Sequence, residues 1–396
     1  MTATRTKRIL SVQPVCDGGG SEHALVAMIR QLTSAGWECH VALPGPPVLA
    51  DEYGAAGATV HVVPMARLTT SGGPGRWPRY AARWPVAVDR LRRLVRSVDA
   101  DVVHSNSLHC WYGWAAARLT GRPHVWHARE IVFQSPAALA VERFLTAHFA
   151  DVVVAVSAAV ATQLPGADVV VVLDRPDPAR FDPTAAGEFR AAMGIADDVP
   201  LVGSVARIDT WKGFDTLLDA VPLVRRRRPE VEMVVAGAAV PGKERYEADL
   251  RRVAADNGVH WLGPRRDIGA LMADLDVFVQ VSSEPEPYGL VVAEALASGT
   301  PVVAGNAGGP VEILAHAPPG AGRLVPPGDP ESLAEAVLAL LPDEPSNTQR
   351  RRSRPPLLGA SADEFPALFA RVVEAAASGG GRPSGARHRL RHARRR

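Results

Sequence analysis

Two cations, Arg207 and Lys212, stand in the string Arg207-Ile-Asp-Thr-Trp-Lys212-Gly213, directly after the apolar run Leu201–Ala206. A guanidinium offers a planar fork and an ammonium a point charge, and a diphosphate can use both. By themselves they read equally well as a solvated loop before a helix. Further along, Glu286 and Glu294 lie in SSEPEPYGLVVAEALA, after the run Val277–Val281. A helix starting near Gly289 leaves Glu286 in the preceding loop and Glu294 within the helix. The N–H groups of Tyr288, Gly289 and Leu290 would then face the crevice. Carboxylates accept hydroxyl hydrogen bonds, and the bare N–H groups of a helix start suit an anion. Two glutamates at this spacing are commonplace. The full string, followed by Gly299-Thr-Pro-Val-Val and Gly308-Gly309-Pro-Val-Glu312, is far more specific.

Three further motifs carry less information. Gly18-Gly19-Gly20-Ser21 stands between a short apolar run and a helical pattern. It can let backbone approach an anion, or be a flexible turn with Ser21 as N-cap. Position 23 is His, so it is not the dinucleotide fingerprint. His127, in Val-Trp-His-Ala-Arg-Glu, is either a polar group lining a cleft or a half-buried, hydrogen-bonded side chain. His40, His61 and His104 show no partner pattern and are read as structural. Gly237-Ala-Ala-Val-Pro-Gly242-Lys243 imitates a phosphate loop, but the next residue is Glu244 where a hydroxyl is needed, and Pro241 removes an N–H.

The elements that must position these groups alternate along the chain. Strands are expected at Arg8–Gln13, His40–Leu43, Val60–Val63, Asp101–His104, His124–His127, Val152–Val156 and Val169–Leu173. A second series follows at Leu201–Ala206, Glu232–Ala236, Val259–Leu262, Val277–Val281, Pro301–Ala304 and Arg323–Val325. Consecutive apolar residues in many of them indicate strands covered on both faces. After Gly20, Leu25, Met28, Ile29 and Leu32 mark one face of a helix. The fold class is therefore α/β, two open parallel-sheet domains. The first is expected over 1–173, a linker over 174–187 where Pro and Asp cluster, and the second over 188–342. A loop and a last helix, Asp363–Ala377, are expected within 343–378. Residues 66–95 read as a mobile loop plus a helix.

The chain has 396 residues, 47% hydrophobic and 22% charged, enough for sizeable cores and inconsistent with a largely disordered chain. Its formal net charge is +2, so nucleic-acid binding by the whole chain is not indicated. Residues 379–396 carry seven arginines and no acid, which leaves −5 on the rest. Such a basic run reads as a solvated tail, with an anionic membrane or nucleic acid as the sharper alternative. Lysine occurs only at Lys7, Lys212 and Lys243. Cys16, Cys39 and Cys110 form no metal spacing, as suits a reducing cytoplasm. No apolar stretch reaches spanning length, and the N-terminus is not a signal peptide.

With these residues in place, the chain resembles the retaining nucleotide-sugar enzymes called glycosyl transferases group 1 (family four), which have the GT-B fold. The resemblance is strongest from Leu201 to Leu341, through VARIDTWKGFDTLLDA, SSEPEPYGLVVAEALASGTPVVAGNAGGPVEI and GRLVPPGDPESLAEAV. It is looser through the Gly18–Gly20 loop, VVHSN, PHVWHARE and VVVAVSAAV. It implies two Rossmann-like domains facing a cleft, the first for acceptor and the second for donor. It implies that Arg207 and Lys212 hold the donor diphosphate, that Glu286 holds donor-sugar hydroxyls, and that Glu294 holds ribose hydroxyls. The backbone of Tyr288, Gly289 and Leu290 would meet sugar or phosphate oxygens. Gly19 and Gly20 would approach the diphosphate and acceptor, and His127 would sit near the anomeric carbon. Arg266 matches loosely where the family reads the base. The pattern departs at Leu173-Asp-Arg-Pro-Asp-Pro, where an Asn-Gly turn is usual, and after Leu341.

The implied reaction moves a sugar from a nucleoside diphosphate sugar to a hydroxyl acceptor with retention, through an oxocarbenium-like transition state. The acceptor would be a natural product, glycolipid or polysaccharide precursor. UDP-sugars are expected ahead of GDP-sugars. No cofactor and no metal are expected, the cations taking a divalent ion's place, with no Asp-x-Asp string read as present to bind one. A cytoplasmic place is expected, with peripheral contact at the inner membrane face through the Arg-rich tail. The alternatives are a nucleotide-sugar 2-epimerase of the same fold and a non-catalytic nucleotide-sugar-binding protein. An NAD enzyme is more distant, because no GxGxxG follows a strand.

Overall fold

A computed structural model describes residues 5–66, 76–133, 135–343, 347–358 and 364–378. The Arg-rich tail 379–396 lies outside the described residues, as does part of the loop expected within 66–95. Contacts divide the chain into two units. One is Met1–Val156 with Val160–Val172 and Ala362–Arg396, the other Ser157–Ala159 with Leu173–Ser361.

In the first unit the strands are β1 Arg8–Val12, β2 Glu38–Leu43, β3 Ala58–Val62, β4 Val102–Ser105, β5 His124–Ala128, β6 Val152–Ala155 and β7 Val169–Val171. They form one sheet in the order β3-β2-β1-β4-β5-β6-β7. In the second unit β8 Leu201–Val205, β9 Glu232–Ala236, β10 His260–Gly263, β11 Val277–Gln280, β12 Val302–Gly305 and β13 Gly322–Val325 follow the order β10-β9-β8-β11-β12-β13. Pairing is parallel throughout, with Leu10 opposite His40 and Phe278 opposite Val302. All of the expected strands are present, with ends displaced by at most two residues.

Burial on both faces explains the unbroken apolar strands. On one face of the first sheet, Leu25, Met28, Ile29 and Leu32 of helix Gly20–Ser34 pack with Ile9, Val41, Val125 and Val154. On the other, helices Arg76–Ser97 and Tyr112–Thr120 cover Leu10, Val12 and Val103. The late helix Glu364–Ala377 belongs to this first unit, where Phe365, Leu368, Phe369 and Val372 join the core of the first face.

The segment expected as a linker, 174–187, packs into the second unit instead. Phe181, Pro183 and Ala186 are buried there, and the Gly187 N–H donates to Asp274 Oδ1 at 2.6 Å. Residues 347–354, expected as loop, are anchored by charge. The Arg190 and Arg354 guanidiniums both pair with Asp276 at 2.9 Å, while Arg351, wholly buried, lies 3.5 Å from Asp274 and also pairs with Asp197. Asp274 and Asp276 have no exposed side-chain surface. Among the described residues, no helix is long and apolar enough to cross a membrane.

Candidate active site

In an open parallel sheet, ligands bind beyond the carboxyl ends of the strands, where the strand order reverses. That reversal falls between β1 and β4 in the first unit and between β8 and β11 in the second. The loops leaving β8 and β11 carry Arg207–Gly213 and Ser282–Gly289, so two strings distant in sequence become neighbours. Ser283 N–H donates to Trp211 O at 2.8 Å, tying the loops together. Gly213 makes this approach feasible: it has φ +74°, and a Cβ there would lie 1.9 Å from Val281 O.

The Lys212 ammonium meets Glu286 with both oxygens, at 2.9 Å to Oε1 and 2.7 Å to Oε2. Gln280 Nε2 and Ser282 Oγ each donate to Glu286 Oε2 at 2.9 Å. The ammonium also lies 3.9 Å from the centre of the Trp211 ring. The Glu286 backbone is pinned as well: its O accepts Gly309 N–H at 2.8 Å. Gly308, at φ +78°, would put a Cβ only 2.0 Å from that same oxygen. Arg207 is exposed and has no ion pair among the described residues.

Helix Leu290–Ala297 begins directly after Gly289 and places Glu294 in its interior. Glu294 is buried, and desolvation pushes its carboxyl up to about 8, with Arg180 pulling it back in part. Tyr288 is buried and donates its hydroxyl to Asp174 O, so it offers only backbone at the helix start. Arg266 is exposed and follows β10, the edge strand of the sheet, away from the Lys212–Glu286 pair. The imitation phosphate loop is occupied by its own acid, Glu244 accepting the Gly242 N–H at 3.0 Å.

In the first unit, the Gly18–Gly20 loop follows β1. Gly19, not Ser21, is the N-cap of helix Gly20–Ser34, so the Ser21 cap is corrected. The loop's N–H groups are partly used: Gly18 donates to Glu22 Oε2 at 2.6 Å and Gly19 to Asp17 Oδ1 at 3.2 Å. Glu22 is buried, and desolvation raises its carboxyl to about 7. His127, at the end of β5, is wholly buried, with its Nδ1 3.3 Å from both His104 Nε2 and Arg129 Nη2. Phe365 packs near the ring, at 5.7 Å between centres. Burial, Arg129 and His104 hold the imidazole pKa well below its ordinary value.

Sequence reasoning missed Gln280, Ser282, Glu22 and the His104–His127 contact. An acid two residues into a helix after glycines is a readable signal for Glu22. It also overlooked two Asp-x-Asp strings, Asp99-Ala-Asp101 and Asp274-Leu-Asp276. Their carboxylates pair with Arg5 and Arg122 at Asp99, Arg5 at Asp101, and the buried arginines at Asp274 and Asp276. Among the described residues, no group of three His, Cys, Asp or Glu side chains is arranged to hold a metal ion.

Comparison with known proteins decides the family. The model described as Glycosyl transferases group 1 matches residues 186–354, and that described as Glycosyltransferase Family 4 matches residues 18–173. A D-inositol 3-phosphate glycosyltransferase of Stackebrandtia nassauensis is 30% identical, the alignment covering 89% of this chain and 84% of that protein. The chain belongs to the group 1 glycosyltransferases. A GDP-mannose-dependent alpha-(1-6)-phosphatidylinositol monomannoside mannosyltransferase of Mycobacterium tuberculosis is also 30% identical, over 71% of this chain and 75% of its own. Anabaena Alr3699/HepE in complex with UDP-glucose is 25% identical, with a TM-score of 0.73 over 94% of this chain and 99% of its own. The two parallel-sheet units of this glycosyltransferase are those of the GT-B fold.

Proposed function

We propose that this glycosyltransferase moves a hexose from a nucleoside diphosphate sugar to a hydroxyl acceptor with retention at the anomeric carbon and without a divalent metal. The observation that carries the reading is the Lys212–Glu286 contact, which joins a cation and a carboxylate at the β8/β11 reversal. A diphosphate takes the ammonium and Arg207, and sugar hydroxyls take the carboxylate. Negative charge growing on the leaving diphosphate is met by Lys212, Arg207 and the N–H groups at the start of helix Leu290–Ala297, from fixed positions. Glu294 accepts ribose hydroxyls. His127 is assigned to orient the donor sugar, and the Gly19 and Gly20 backbone to approach the diphosphate and acceptor. Arg266 contributes to base recognition. The acceptor proton leaves with the diphosphate, with attack on the departing face.

UDP-hexoses rank ahead of GDP-hexoses. A UDP-glucose complex of a relative matched over nearly its whole length favours them, while the GDP-mannose named for other relatives keeps the second open. The acceptor is a small polyol or a glycolipid, in keeping with the inositol phosphate and phosphatidylinositol mannoside of the relatives' names. A cytoplasmic place fits the three unbridged cysteines. The test incubates the full chain with UDP-glucose or GDP-mannose, with and without D-inositol 3-phosphate, in EDTA. The anomer formed is read by NMR. An α-glycoside from an α-donor supports the reading. An inverted product, a strict requirement for metal, or an epimerised nucleotide sugar made without acceptor overturns the corresponding part.

A further inference from the structure

A chain of buried polar groups runs through the first unit and ends on His127. Ser11 Oγ lies 3.1 Å from His104 Nδ1, and His104 Nε2 lies 3.3 Å from His127 Nδ1. Ser11, His104 and His127 are essentially without exposed surface. Such a chain has two self-consistent proton arrangements. In one, Ser11 donates to His104, His104 donates to His127 Nδ1, and the His127 proton sits on Nε2. In the other every donor and acceptor is reversed, and the His127 proton sits on Nδ1. A hydroxyl serves either arrangement equally, so Ser11 does not choose between them.

Arg129 chooses. Its Nη2 lies 3.3 Å from the same His127 Nδ1, and a guanidinium has donors only. A proton on Nδ1 would face an N–H, whereas the single lone pair there is shared as a bifurcated acceptor between the Arg129 Nη2–H and the His104 Nε2–H. Arg129 is itself aimed by Asn106, whose Oδ1 accepts from Arg129 Nε at 2.6 Å. Asn106 Nδ2 in turn donates to Gln13 Oε1 at 2.8 Å and to Ser21 O at 3.0 Å, so the Gly18–Gly20 helix start and Arg129 share one network. The other end of the ring, His127 Nε2, is buried and has no hydrogen-bond partner among the described residues. A buried donor left unsatisfied is costly, so a ligand oxygen brought to this nitrogen would meet an unmet hydrogen bond.

We propose that Arg129 is a positioning residue that breaks the degeneracy of the Ser11–His104–His127 chain, fixing His127 as the Nε2–H tautomer and so as a hydrogen-bond donor toward a neutral sugar oxygen. In this tautomer Nε2 has no lone pair for a proton, so His127 does not serve as a general base. The assignment of the tautomer stands on the geometry alone; its consequence for transfer rests on the reading of His127 as a donor-sugar contact.

The test is imidazole nitrogen NMR on the full chain labelled with ¹⁵N-histidine, without ligand, the His127 signals being assigned by difference from H127Q. Pyrrole-type Nε2 and pyridine-type Nδ1 are expected in the native protein. R129K, which keeps a donor, is expected to preserve that pattern. R129M is expected to bring in the reversed arrangement and to lower kcat for transfer from the active donor about tenfold or more with a smaller change in KM. A native His127 protonated on Nδ1, or an unchanged tautomer in a folded R129M, overturns the proposal. If R129M does not fold, an R129K tautomer pattern unlike the native one overturns it instead. A tautomer that shifts in R129M while H127Q transfers normally supports the proposal and removes His127 from the donor-sugar reading.

Discussion

The Lys212–Glu286 pair offers the sharpest quantitative test, because its energetics can be measured before any substrate is known. Each side chain keeps 11% of its surface exposed, and the shorter contact is 2.7 Å. At an effective dielectric of about 20, unit charges about 4 Å apart attract by about 4 kcal/mol. Desolvation of both ions offsets most of this, which leaves a net coupling of about 1–2 kcal/mol. Replacing Lys212 by Met strips Glu286 of its ionic partner but leaves the Gln280 and Ser282 donors. Replacing Glu286 by Gln leaves the ammonium over Trp211. A double-mutant cycle of K212M and E286Q, read by urea unfolding at low salt and pH 7, is therefore expected to show that coupling. The single K212M change is expected to lower kcat/KM about ten- to a thousandfold, the scale of a lost charge-stabilising contact. Additive stabilities, within about 0.5 kcal/mol, would refute the electrostatic account of the pair. An unchanged kcat/KM for K212M would remove Lys212 from the chemistry.

Other consequences can be checked in the same preparations. Folded Glu294 holds its proton up to about pH 8, whereas the ordinary value is 4.5. The native state thus binds more protons than the unfolded chain between those values, and stability falls as pH rises through that window. Unfolding free energies of the native protein and E294Q, compared from pH 5 to 8, should diverge by up to about 1.4 kcal/mol per pH unit, with the native protein losing; parallel curves would contradict the burial argument. Arg351 is wholly buried against Asp274, so R351M is expected to destabilise the second unit by about 3–5 kcal/mol, seen as a lower unfolding midpoint. G308A forces a Cβ against Glu286 O at positive φ, and its Tm should drop by several degrees together with loss of nucleotide-sugar binding. E286A should bind UDP-glucose and UDP with equal affinity, whereas retained preference for the sugar would show that another group reads it.

The central strands were legible because they are short, largely apolar runs buried on both faces, as β11 shows with all of Val277–Gln280 covered, while the edge strands β3, β7, β10 and β13 are only part-buried. The candidate site was legible because Arg207, Lys212 and Glu286 are charged residues placed where strands end, and because Gly308 and Gly309 mark a close backbone approach. The ends of the units were harder. Residues 174–187 look like a linker by composition, yet Phe181 and Pro183 are buried, since proline and aspartate clusters report turn chemistry and not what a turn packs against. Helix Glu364–Ala377 was readable as a helix, but nothing local says that Phe365 and Phe369 fill the core of the first unit.

By itself, then, the order of residues determined the alternation of strand and helix, the α/β class and the identity of the charged groups, all of which follow from local periodicity and side-chain chemistry. Only the tertiary structure decided who meets whom. Sequence spacing carries no distance between Lys212 and Glu286 until β8 and β11 lie side by side. His104 had no pattern to mark it until β4 and β5 paired and set its ring against His127. The carboxyl of Glu294 owes its raised pKa to the packing that removes water around it. Contacts between distant segments, and the desolvation that gives them their energy, exist only once the sheets have formed.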